Sequence, residues 1–282
     1  MALDVEPSEN PQLPTIAAGL NPPKIIMAAV LVGSSNLPQV AQWACFLKKK
    51  EKLGKELGVD FRIYKFDDGI KNDELRDKVG KLASQKSVGG VIIQLPLPEH
   101  LNKYFIPAAN PRESKMRQHF YILNAIPREK DVDVLGERAL GAFYAGRNPV
   151  LPPAVGVVDT ILTTYNVQLT TKKVAVIGRG LLVGKPIAVW LLDKVAELSV
   201  FNSQTENLKG KLKYFDVVIS GVGKANLFSV EDVKENALVI DFGYDFNPPA
   251  GGGKISGDFN SNSLVASGQS LISYTPTPGG TG

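Results

Sequence analysis

Three glycines follow an apolar segment in the second half of the chain, in the stretch Lys173-Val-Ala-Val-Ile-Gly-Arg-Gly-Leu-Leu-Val-Gly-Lys-Pro186. Gly178 would permit a tight turn, Gly180 would let a phosphate approach the backbone, and Gly184 would let the next helix pack on the strand. The free N–H groups at the start of that helix attract phosphate, and Pro186 fits its first turn because it has no N–H to satisfy. Many α/β turns need glycine for backbone reasons alone. The strand, turn and helix together nevertheless predict dinucleotide binding.

The end of the following strand bears on which dinucleotide would bind. This strand ends Phe201-Asn202-Ser203, without the acidic residue that would accept from the ribose of NAD. Arg179 and Ser203 could contact a 2′-phosphate, or both could be solvated loop residues. We therefore expect NADP in preference to NAD.

Two residues in the first half could move or orient protons. Gln94 ends an apolar strand at its carboxyl edge, where sites lie in open α/β sheets. A lysine amine can serve as a general acid or base, and Lys50 is a candidate. However, Lys50 belongs to the basic run Lys48-Lys49-Lys50, and such runs are usually solvated faces. The residue types alone leave both interpretations of Lys50 open.

Asp133 follows the basic residue Lys130 and precedes Arg138. It could simply pair with either of these side chains. The residue types alone do not distinguish such pairing from contact with a ligand.

Alternating apolar strands and helices must position these residues. Continuous apolar runs predict parallel strands covered on both faces, and therefore an α/β fold of two lobes. For the first lobe we predict the strands Lys24–Val32, Val59–Phe66 and Gly90–Leu95 and the helices Trp43–Leu57, Asn72–Ala83 and Arg112–Ile126. After a connecting helix, Val155–Tyr165, we predict the strands Val174–Ile177, Leu198–Phe201, Asp216–Ser220 and Leu238–Phe242 and the helix Pro186–Leu192. The lobe boundary is expected near residue 150.

Composition excludes several classes of protein. The chain has 282 residues, 44% hydrophobic and 21% charged, which is ordinary for a globular enzyme of two lobes. Its net charge of +4 is too mild to indicate nucleic-acid binding, and no apolar run is long enough for a membrane span. The single cysteine, Cys45, indicates a small buried residue in a reducing compartment. His100 and His119 fit no metal-ligand spacing. We expect a cytoplasmic protein without a metal site.

Several further motifs occur in order along residues 24–282. Taken together they resemble the bifunctional methylenetetrahydrofolate dehydrogenase/methenyltetrahydrofolate cyclohydrolase family. Besides Gly178–Pro186, the matching stretches are Gly89-Gly-Val-Ile-Ile-Gln-Leu-Pro-Leu-Pro98, Pro127-Arg-Glu-Lys-Asp-Val-Asp133, Leu151-Pro-Pro-Ala-Val-Gly156, Val239-Ile-Asp-Phe-Gly243, Gly257-Asp-Phe259 and Tyr274-Thr-Pro-Thr-Pro-Gly-Gly280.

The resemblance implies two three-layer α/β lobes with a cleft between them. The N-terminal lobe (1–149) would be catalytic and bind folate, and the C-terminal Rossmann-type lobe (150–271) would bind NADP. Residues 1–23 would form a flexible arm, and 272–282 would return to the cleft. The family oxidises 5,10-methylenetetrahydrofolate with NADP and hydrolyses the methenyl product to 10-formyltetrahydrofolate. Family members usually form homodimers through the cofactor lobe.

The resemblance also implies the site residues. The family lysine, in a Tyr-x-x-x-Lys pattern, corresponds to Lys50, its glutamine to Gln94 and its folate-binding aspartate to Asp133. The implied substrate-binding residues are Phe46, Pro96, Leu97, Pro278, Gly279 and Gly280. The implied cofactor-binding residues are Gly178, Arg179, Gly180, Val183, Gly184, Pro186, Asn202, Ser203, Gly221, Val222, Gly223, Asp241 and Gly243.

Some positions depart from the family pattern. Phe46 replaces the tyrosine four residues before the lysine, and Trp43 replaces a serine. Val134 stands where a glycine normally follows the aspartate. The stretch from Phe105 to Phe120 is an insertion. We expect a proline-rich arm in place of the first helix and no closing helix at the end. Because these departures affect the folate lobe, we expect the dehydrogenase step to survive more readily than the hydrolysis step.

Three alternatives stay open on sequence alone. The chain could be a degenerate family member that binds NADP without chemistry, which Phe46 favours. It could be another two-lobed dehydrogenase of the shikimate type, although Gln94 and Asp133 argue against that. Binding of nucleic acid through Lys48–Lys55 has only the charge of this segment in its favour.

Overall fold

The computed structural model describes residues 25–33, 38–102, 121–245, 255–261 and 272–281, with the backbone alone for 38–45. Within these ranges the chain forms two compact units that divide between Leu151 and Pro152. The expected arm (1–23), most of the insertion at 105–120 and His119 lie outside the described residues. The side chains of Trp43 and Cys45 do so as well.

The N-terminal unit is built on a parallel sheet of three strands in the order β2-β1-β3. These strands are β1 (Ile26–Val32), β2 (Asp60–Phe66) and β3 (Val88–Ile93). Five of the six residues of β3 are buried, as its apolar run predicts. Strand β3 ends at Ile93, two residues before the predicted end at Leu95. Pro96, which follows Leu95, has no N–H with which to extend the hydrogen bonds of the sheet.

Three helices of this unit lie wholly within the described residues, namely α1 (Pro38–Glu56), α2 (Asn72–Ser84) and α3 (Glu137–Tyr144). Helix α1 begins five residues before the predicted Trp43. Proline is favoured in the first turn of a helix, so Pro38 is a better start than the apolar periodicity indicated. Of the predicted helix Arg112–Ile126, only 121–126 is described, and it is helical to Leu123 and then turns before Pro127.

The C-terminal unit contains a parallel sheet of five strands in the order β10-β8-β6-β4-β5. They are β4 (Lys173–Ile177), β5 (Glu197–Phe201), β6 (Val217–Ser220), β8 (Leu238–Asp241) and β10 (Ser273–Tyr274). A separate pair joins β7 (Phe228–Ser229) to β9 (Phe259–Asn260). The helices are α4 (Pro153–Thr164), α5 (Gly184–Leu191) and α6 (Leu208–Leu212). The predicted fold class, a two-domain α/β protein with parallel sheets, is confirmed.

Residues 272–281, which the resemblance expects to return to the cleft, contain strand β10. They belong to the C-terminal unit, because β10 pairs with β8 through Ser273 and Leu238. The backbone N–H of Thr275 extends this pairing by donating to the carbonyl of Val239 over 3.0 Å.

Candidate functional site

A small apolar cluster fixes the part of the N-terminal unit that holds its candidate site. Leu47 of α1 is buried with Ile92 of β3, and Val132 packs against them. An isolated parallel bridge also pairs Val91 with Asp131, so the chain from Asp131 onward lies alongside the end of β3. Each of the three segments that contain Lys50, Gln94 and Asp133 is therefore anchored within three residues of the functional side chain.

Lys50 and Asp133 interact electrostatically in this arrangement. Asp133 is half-buried, and burial raises the pKa of its carboxyl. The positive charge of Lys50 lowers that pKa, whereas the nearby Asp131 raises it. Lys50 itself is exposed to solvent. The structure thus brings together two of the three predicted catalytic residues, and the lysine favours the charged, hydrogen-bond-accepting form of the aspartate.

Lys130 and Arg138, the two alternative ion-pair partners of Asp133, either form other hydrogen bonds or are exposed to solvent. The Lys130 amine donates to the carbonyls of Ala83 and Gln85 over 2.7 and 2.8 Å, at the end of α2. Arg138 is exposed on α3. Lys130 therefore fixes the aspartate motif to α2 and does not neutralise Asp133.

Gln94 follows β3 directly and is half-buried. Its backbone N–H continues the sheet by donating to the carbonyl of Val30 over 2.9 Å, and its side-chain amide donates to the carbonyl of Leu95 over 2.9 Å. The side chain is thus held at the carboxyl edge of the sheet, where its predicted role requires it to be.

Asp131 was missed by the sequence reasoning, although it organises the loop that presents Asp133. It is buried, and its carboxylate accepts from the backbone N–H of Leu135 and, over 2.7 Å, from that of Gly136. Burial raises its pKa and these hydrogen bonds lower it. Within this loop, between Asp131 and Leu135, Val134 takes the left-handed conformation with φ of 54°. The resemblance noted in the sequence implies a glycine at this position, and glycine adopts that conformation without steric cost.

The predicted substrate-binding residues fall in different environments. Phe46 is half-buried one turn before Lys50 on α1, with the Lys49 amine 5.8 Å from its ring centroid. Pro96 is exposed, whereas Leu97 is buried at 4% exposure and packs inside the unit. Pro278 and Gly279 are exposed on the C-terminal unit. Their contact with substrate stays a prediction.

The glycine turn of the C-terminal unit has the geometry that its spacing predicts. Gly178 has φ of 105°, which favours glycine, and Gly184 begins α5 in the closest contact of the turn. A β-carbon on Gly184 would lie 2.1 Å from the carbonyl oxygen of Gly178, whereas one on Gly180 would meet nothing within 4 Å. Gly180 therefore leaves open space beside the start of α5, where a phosphate could approach the backbone.

The remaining candidates for contact with the dinucleotide lie around this turn. Val183 precedes α5, and Pro186 is buried in its first turn. Arg179 and Ser203 are exposed. Asn202 forms a local turn after β5, in which its side-chain oxygen accepts from the N–H of Gln204 over 2.8 Å. The exposed positions of Arg179 and Ser203 are compatible with binding a phosphate.

The loop after β6 contains the predicted residues Gly221, Val222 and Gly223. Its shape depends on Asp258, a fully buried aspartate that the sequence reasoning did not select as a site residue. The Asp258 carboxylate accepts from the N–H of Val222 over 2.8 Å and from that of Lys224 over 2.7 Å. The only sequence signal was an acidic residue within the apolar motif Gly257-Asp-Phe259.

Asp241 lies in the interior and does not face solvent. It is 1% exposed, and its carboxylate accepts from the N–H groups of Gly243 (2.7 Å) and Phe259 (3.0 Å). Its backbone N–H donates to the Thr275 hydroxyl, and its carbonyl accepts from the Thr281 hydroxyl over 2.6 Å. Gly243 is also buried. Asp241 and Gly243, both predicted to contact the cofactor, therefore lie in the interior, where the hydrogen bonds of Asp241 hold the neighbouring loops in place.

Burial raises the pKa of Asp241 to about 7, and the charge of Asp258 adds to the increase, while hydrogen bonds from Phe259, Gly243 and the Asp258 N–H oppose it. Glycines permit this close approach of carboxylates to backbone. A β-carbon on Gly257 would lie 2.1 Å from Asp241 Oδ2, and one on Gly243 would lie 2.2 Å from the carboxyl carbon of Asp258. Three motifs distant in sequence thus form one polar network.

Within the described residues, no group of three or more His, Cys, Asp or Glu side chains could hold a metal ion. The described helices include none that is both long enough and apolar enough to cross a membrane. The ring nitrogen Nε2 of His100 donates to the carbonyl of Ile70 over 3.1 Å.

Comparison with known proteins assigns the family. The sequence model of the tetrahydrofolate dehydrogenase/cyclohydrolase NAD(P)-binding domain matches residues 152–282. The model of the catalytic domain of the same family matches residues 15–133. The chain belongs to this family. The predicted resemblance is therefore confirmed, and the shikimate-type alternative is not favoured.

Relatives within the tetrahydrofolate dehydrogenase/cyclohydrolase family match most of the chain. Bifunctional protein FolD of Clostridium perfringens strain SM101 is 36% identical over 234 residues, which are 83% of this chain and 76% of that protein. Its counterpart in Clostridium botulinum strain Alaska E43 is 34% identical over 92% of this chain and 82% of its own. The crystal structure of the bifunctional FolD enzyme from Campylobacter jejuni matches with a TM-score of 0.77 and 28% identity, covering 92% of this chain and 82% of that one.

Proposed function

We propose that the protein oxidises 5,10-methylenetetrahydrofolate with NADP and hydrolyses the resulting methenyl compound to 10-formyltetrahydrofolate. The observation that supports this most directly is the proximity of Lys50 to Asp133 beside the end of β3, in a chain of this family. In this proposal the unit that ends at Leu151 binds folate, and the unit that begins at Pro152 binds the dinucleotide. The 10-formyl product would supply one-carbon units to reactions such as those of purine biosynthesis.

The chain's part in the oxidation is to bind and orient. When bound, the nicotinamide supplies the hydride acceptor. The turn at Gly178 and the open space at Gly180 fit the phosphates of that dinucleotide. Arg179 and Ser203 would contact the 2′-phosphate, which is the reason for proposing NADP over NAD. Hydride transfer needs little from the protein beyond alignment of the two rings.

In the proposed hydrolysis, Lys50 moves the protons. Water adds to the methenyl carbon, and the added oxygen loses protons as the carbonyl of the formyl group forms. One ring C–N bond breaks, and its nitrogen receives a proton. In its neutral form, a lysine amine next to the reacting carbon can take one of the two water protons and deliver it to the departing ring nitrogen, while the second proton leaves to solvent. Gln94 would orient this amine and bond the pterin without adding charge.

Asp133 would accept from the donor edge of the pterin. Burial makes its ionised form costly, and the positive charge of Lys50 offsets part of that cost. Lys50 would therefore have two roles that alternate with its protonation state: its charged form stabilises the carboxylate that holds the substrate, and its neutral form accepts the proton from the added water. Phe46 provides no hydroxyl to orient Lys50, so we expect hydrolysis to be the weaker of the two activities.

We also propose that the protein is a cytoplasmic homodimer that assembles through its C-terminal unit. Strand β5 is the last strand at one side of the five-stranded sheet, and Val200 on it is exposed, as is Leu192 just after α5. An exposed edge strand with apolar side chains is a favourable surface for pairing. Light scattering after size exclusion should give twice the chain mass, and Val200→Lys should shift it toward monomer.

The test of the proposed function separates the two activities. Purified protein is mixed with methylenetetrahydrofolate and NADP, and NADPH and the methenyl compound are followed separately by absorbance. The Lys50→Met variant is compared with Lys48→Met, which removes a charge from the same basic run. We expect NADPH formation with consumption of the methenyl compound, and loss of that consumption in Lys50→Met alone.

Each other outcome has a distinct meaning. Accumulation of the methenyl compound in the wild type would leave a dehydrogenase only, with Phe46 as the structural reason. Binding of NADP without turnover would contradict the proposal and favour a cofactor-binding protein. Equal losses in Lys50→Met and Lys48→Met would remove Lys50 from the mechanism.

A further inference from the structure

Asp258 joins several donors of one loop to a single buried carboxylate. Besides the N–H groups of Val222 and Lys224, the Ser220 hydroxyl donates to Asp258 Oδ2 over 2.5 Å. The backbone of the same segment closes the loop, because the N–H of Phe228 donates to the Asp258 carbonyl over 3.2 Å. The conformation of the chain between β6 and β7 therefore depends on this side chain.

The loop held by Asp258 is in direct contact with the glycine turn. The N–H of Gly221 donates to the carbonyl of Ile177 over 3.0 Å, immediately before the turn. A β-carbon on Gly221 would lie 2.5 Å from Val183 Cγ1, and one on Gly178 would lie 3.0 Å from the Gly221 carbonyl oxygen. Because these contacts leave no free space, movement of the loop would displace the turn.

A carboxylate suits this position better than a neutral side chain. Its two oxygens together accept from three donors, and hydrogen bonds to a charged acceptor are stronger than those between neutral groups. Asp258 also has little room to move, because a β-carbon on Gly243 would lie 2.2 Å from its carboxyl carbon. The acceptor is therefore held in one place before any ligand binds.

We propose that Asp258 is a positioning residue of the dinucleotide site, which fixes the loop from Ser220 to Lys224 against the glycine turn. The turn is then already shaped for the phosphates in the free protein, and less ordering accompanies binding. This inference rests on the proposed function, since it concerns the same dinucleotide site.

The experiment measures the NADPH dissociation constant of the full chain by fluorescence titration, with kcat and KM for NADP alongside. In Asp258→Asn one acceptor oxygen becomes a donor, so we expect the NADPH Kd and the KM for NADP to rise about tenfold. We expect kcat at saturating NADP to fall less than about threefold, since the reacting groups are untouched. Ser220→Ala removes one donor and keeps the carboxylate, and should raise the Kd by about threefold.

Val174→Ala is the matched control for general destabilisation. Val174 is fully buried at the amino end of β4, away from the turn, so its truncation lowers the melting temperature. We expect its NADPH Kd to equal that of the wild type. If Asp258→Asn does not fold, Ser220→Ala tests the inference in its place. In this variant we expect weaker NADPH binding than in the wild type, together with faster hydrogen exchange of the Val222 amide.

Two results would overturn the inference. The first is wild-type affinity in Asp258→Asn and Ser220→Ala. The second is an equal rise in the NADPH Kd of Asp258→Asn and of Val174→Ala when the two variants lose the same amount of melting temperature. Failure of the wild type to bind NADPH would instead refute the proposed function, and the inference with it.

Discussion

Gly184 approaches Gly178 so closely that a β-carbon on the first would lie 2.1 Å from the carbonyl oxygen of the second. The contact joins the start of α5 to the end of β4. Gly178 is additionally held in a left-handed conformation with φ of 105°. The two glycines thus have different requirements, one for conformation and one for close packing, and both are backbone requirements that another residue could not meet without displacement of the helix.

The first prediction contrasts Gly184→Ala with Gly180→Ala. A methyl group at Gly184 must displace α5, so we expect a loss of about 2 kcal/mol or more in the free energy of unfolding, and weaker NADPH binding. At Gly180 the same methyl group meets nothing within 4 Å, so stability should change by less than about 1 kcal/mol. Urea unfolding and NADPH titration measure the two effects.

Gly180→Ala then isolates the role of this glycine in binding. If a phosphate approaches the backbone there, the methyl group should weaken NADPH binding in a protein of nearly normal stability. Normal NADPH affinity in Gly180→Ala would remove Gly180 from the cofactor site.

The second prediction concerns Val134, a buried β-branched residue with φ of 54°. At an ordinary position glycine is less stable than alanine by about 0.5–1 kcal/mol. Here the order should reverse, with Val134→Gly more stable than Val134→Ala by about 1 kcal/mol, because alanine keeps the unfavourable conformation. Comparing these two variants cancels the loss of the buried isopropyl group. Denaturant unfolding that places Val134→Ala above Val134→Gly would contradict the backbone strain.

Sequence reasoning reached the parts of the fold in which neighbouring residues determine the structure. The apolar run of β3 and the glycine turn after β4 were both predicted, since a buried parallel strand and a phosphate turn have local signatures. Lys50, Gln94 and Asp133 were selected by the ordered motifs of the family. The apolar contact of Leu47 with Ile92, which places Lys50, could not be read from spacing because it joins separate elements.

The burial and the hydrogen-bond partners of the Asp241 and Asp258 carboxylates could not be predicted from local sequence. Asp258 and Ser220 are 38 residues apart, so nothing local pairs them. Asp241 was predicted to contact the cofactor because it lies in a family motif, but motif membership does not distinguish contact from support. Its burial became visible only once β8, β9 and β10 were placed together. For Val134 the substitution itself hid the left-handed position that a glycine would have indicated.

The third prediction concerns Phe46, which lies one turn before Lys50 on α1. Phe46→Tyr adds the hydroxyl found in the family at this position. We expect it to accelerate cyclohydrolase turnover by about tenfold or less, because one hydrogen bond to a charged group contributes a free energy that corresponds to a rate factor of about this size. The dehydrogenase rate should change little. Hydrolysis of purified methenyltetrahydrofolate without NADP measures the step alone.

Phe46→Leu is the control for this prediction, because it alters the packing without adding a hydroxyl. Its cyclohydrolase rate should not exceed that of the wild type. A gain in the rate of Phe46→Leu similar to that of Phe46→Tyr would attribute the effect to space and not to the hydroxyl.

The last prediction follows from the buried carboxyl of Asp241, whose pKa of about 7 lies above the value of roughly 4 for an unfolded aspartate. Between these two pH values the folded protein binds more protons than the unfolded chain, so the free energy of unfolding must fall as pH rises. The contribution of Asp241 is fully present below about pH 4 and is lost on passing pH 7, with a total change of about 4 kcal/mol. Urea unfolding from pH 4 to pH 8 measures the slope.

Asp241→Asn should flatten this slope, because asparagine does not titrate, even if it lowers stability at every pH. Asp193→Asn, which changes an exposed carboxylate on the same unit, should keep the slope of the wild type. If Asp241→Asn retained the full pH dependence, the proton taken up on folding would belong to another group, and Asp241 would be ionised in the folded protein at neutral pH. The two buried carboxylates would then both be charged, and the backbone N–H groups and the Ser220 hydroxyl around them would stabilise that charge.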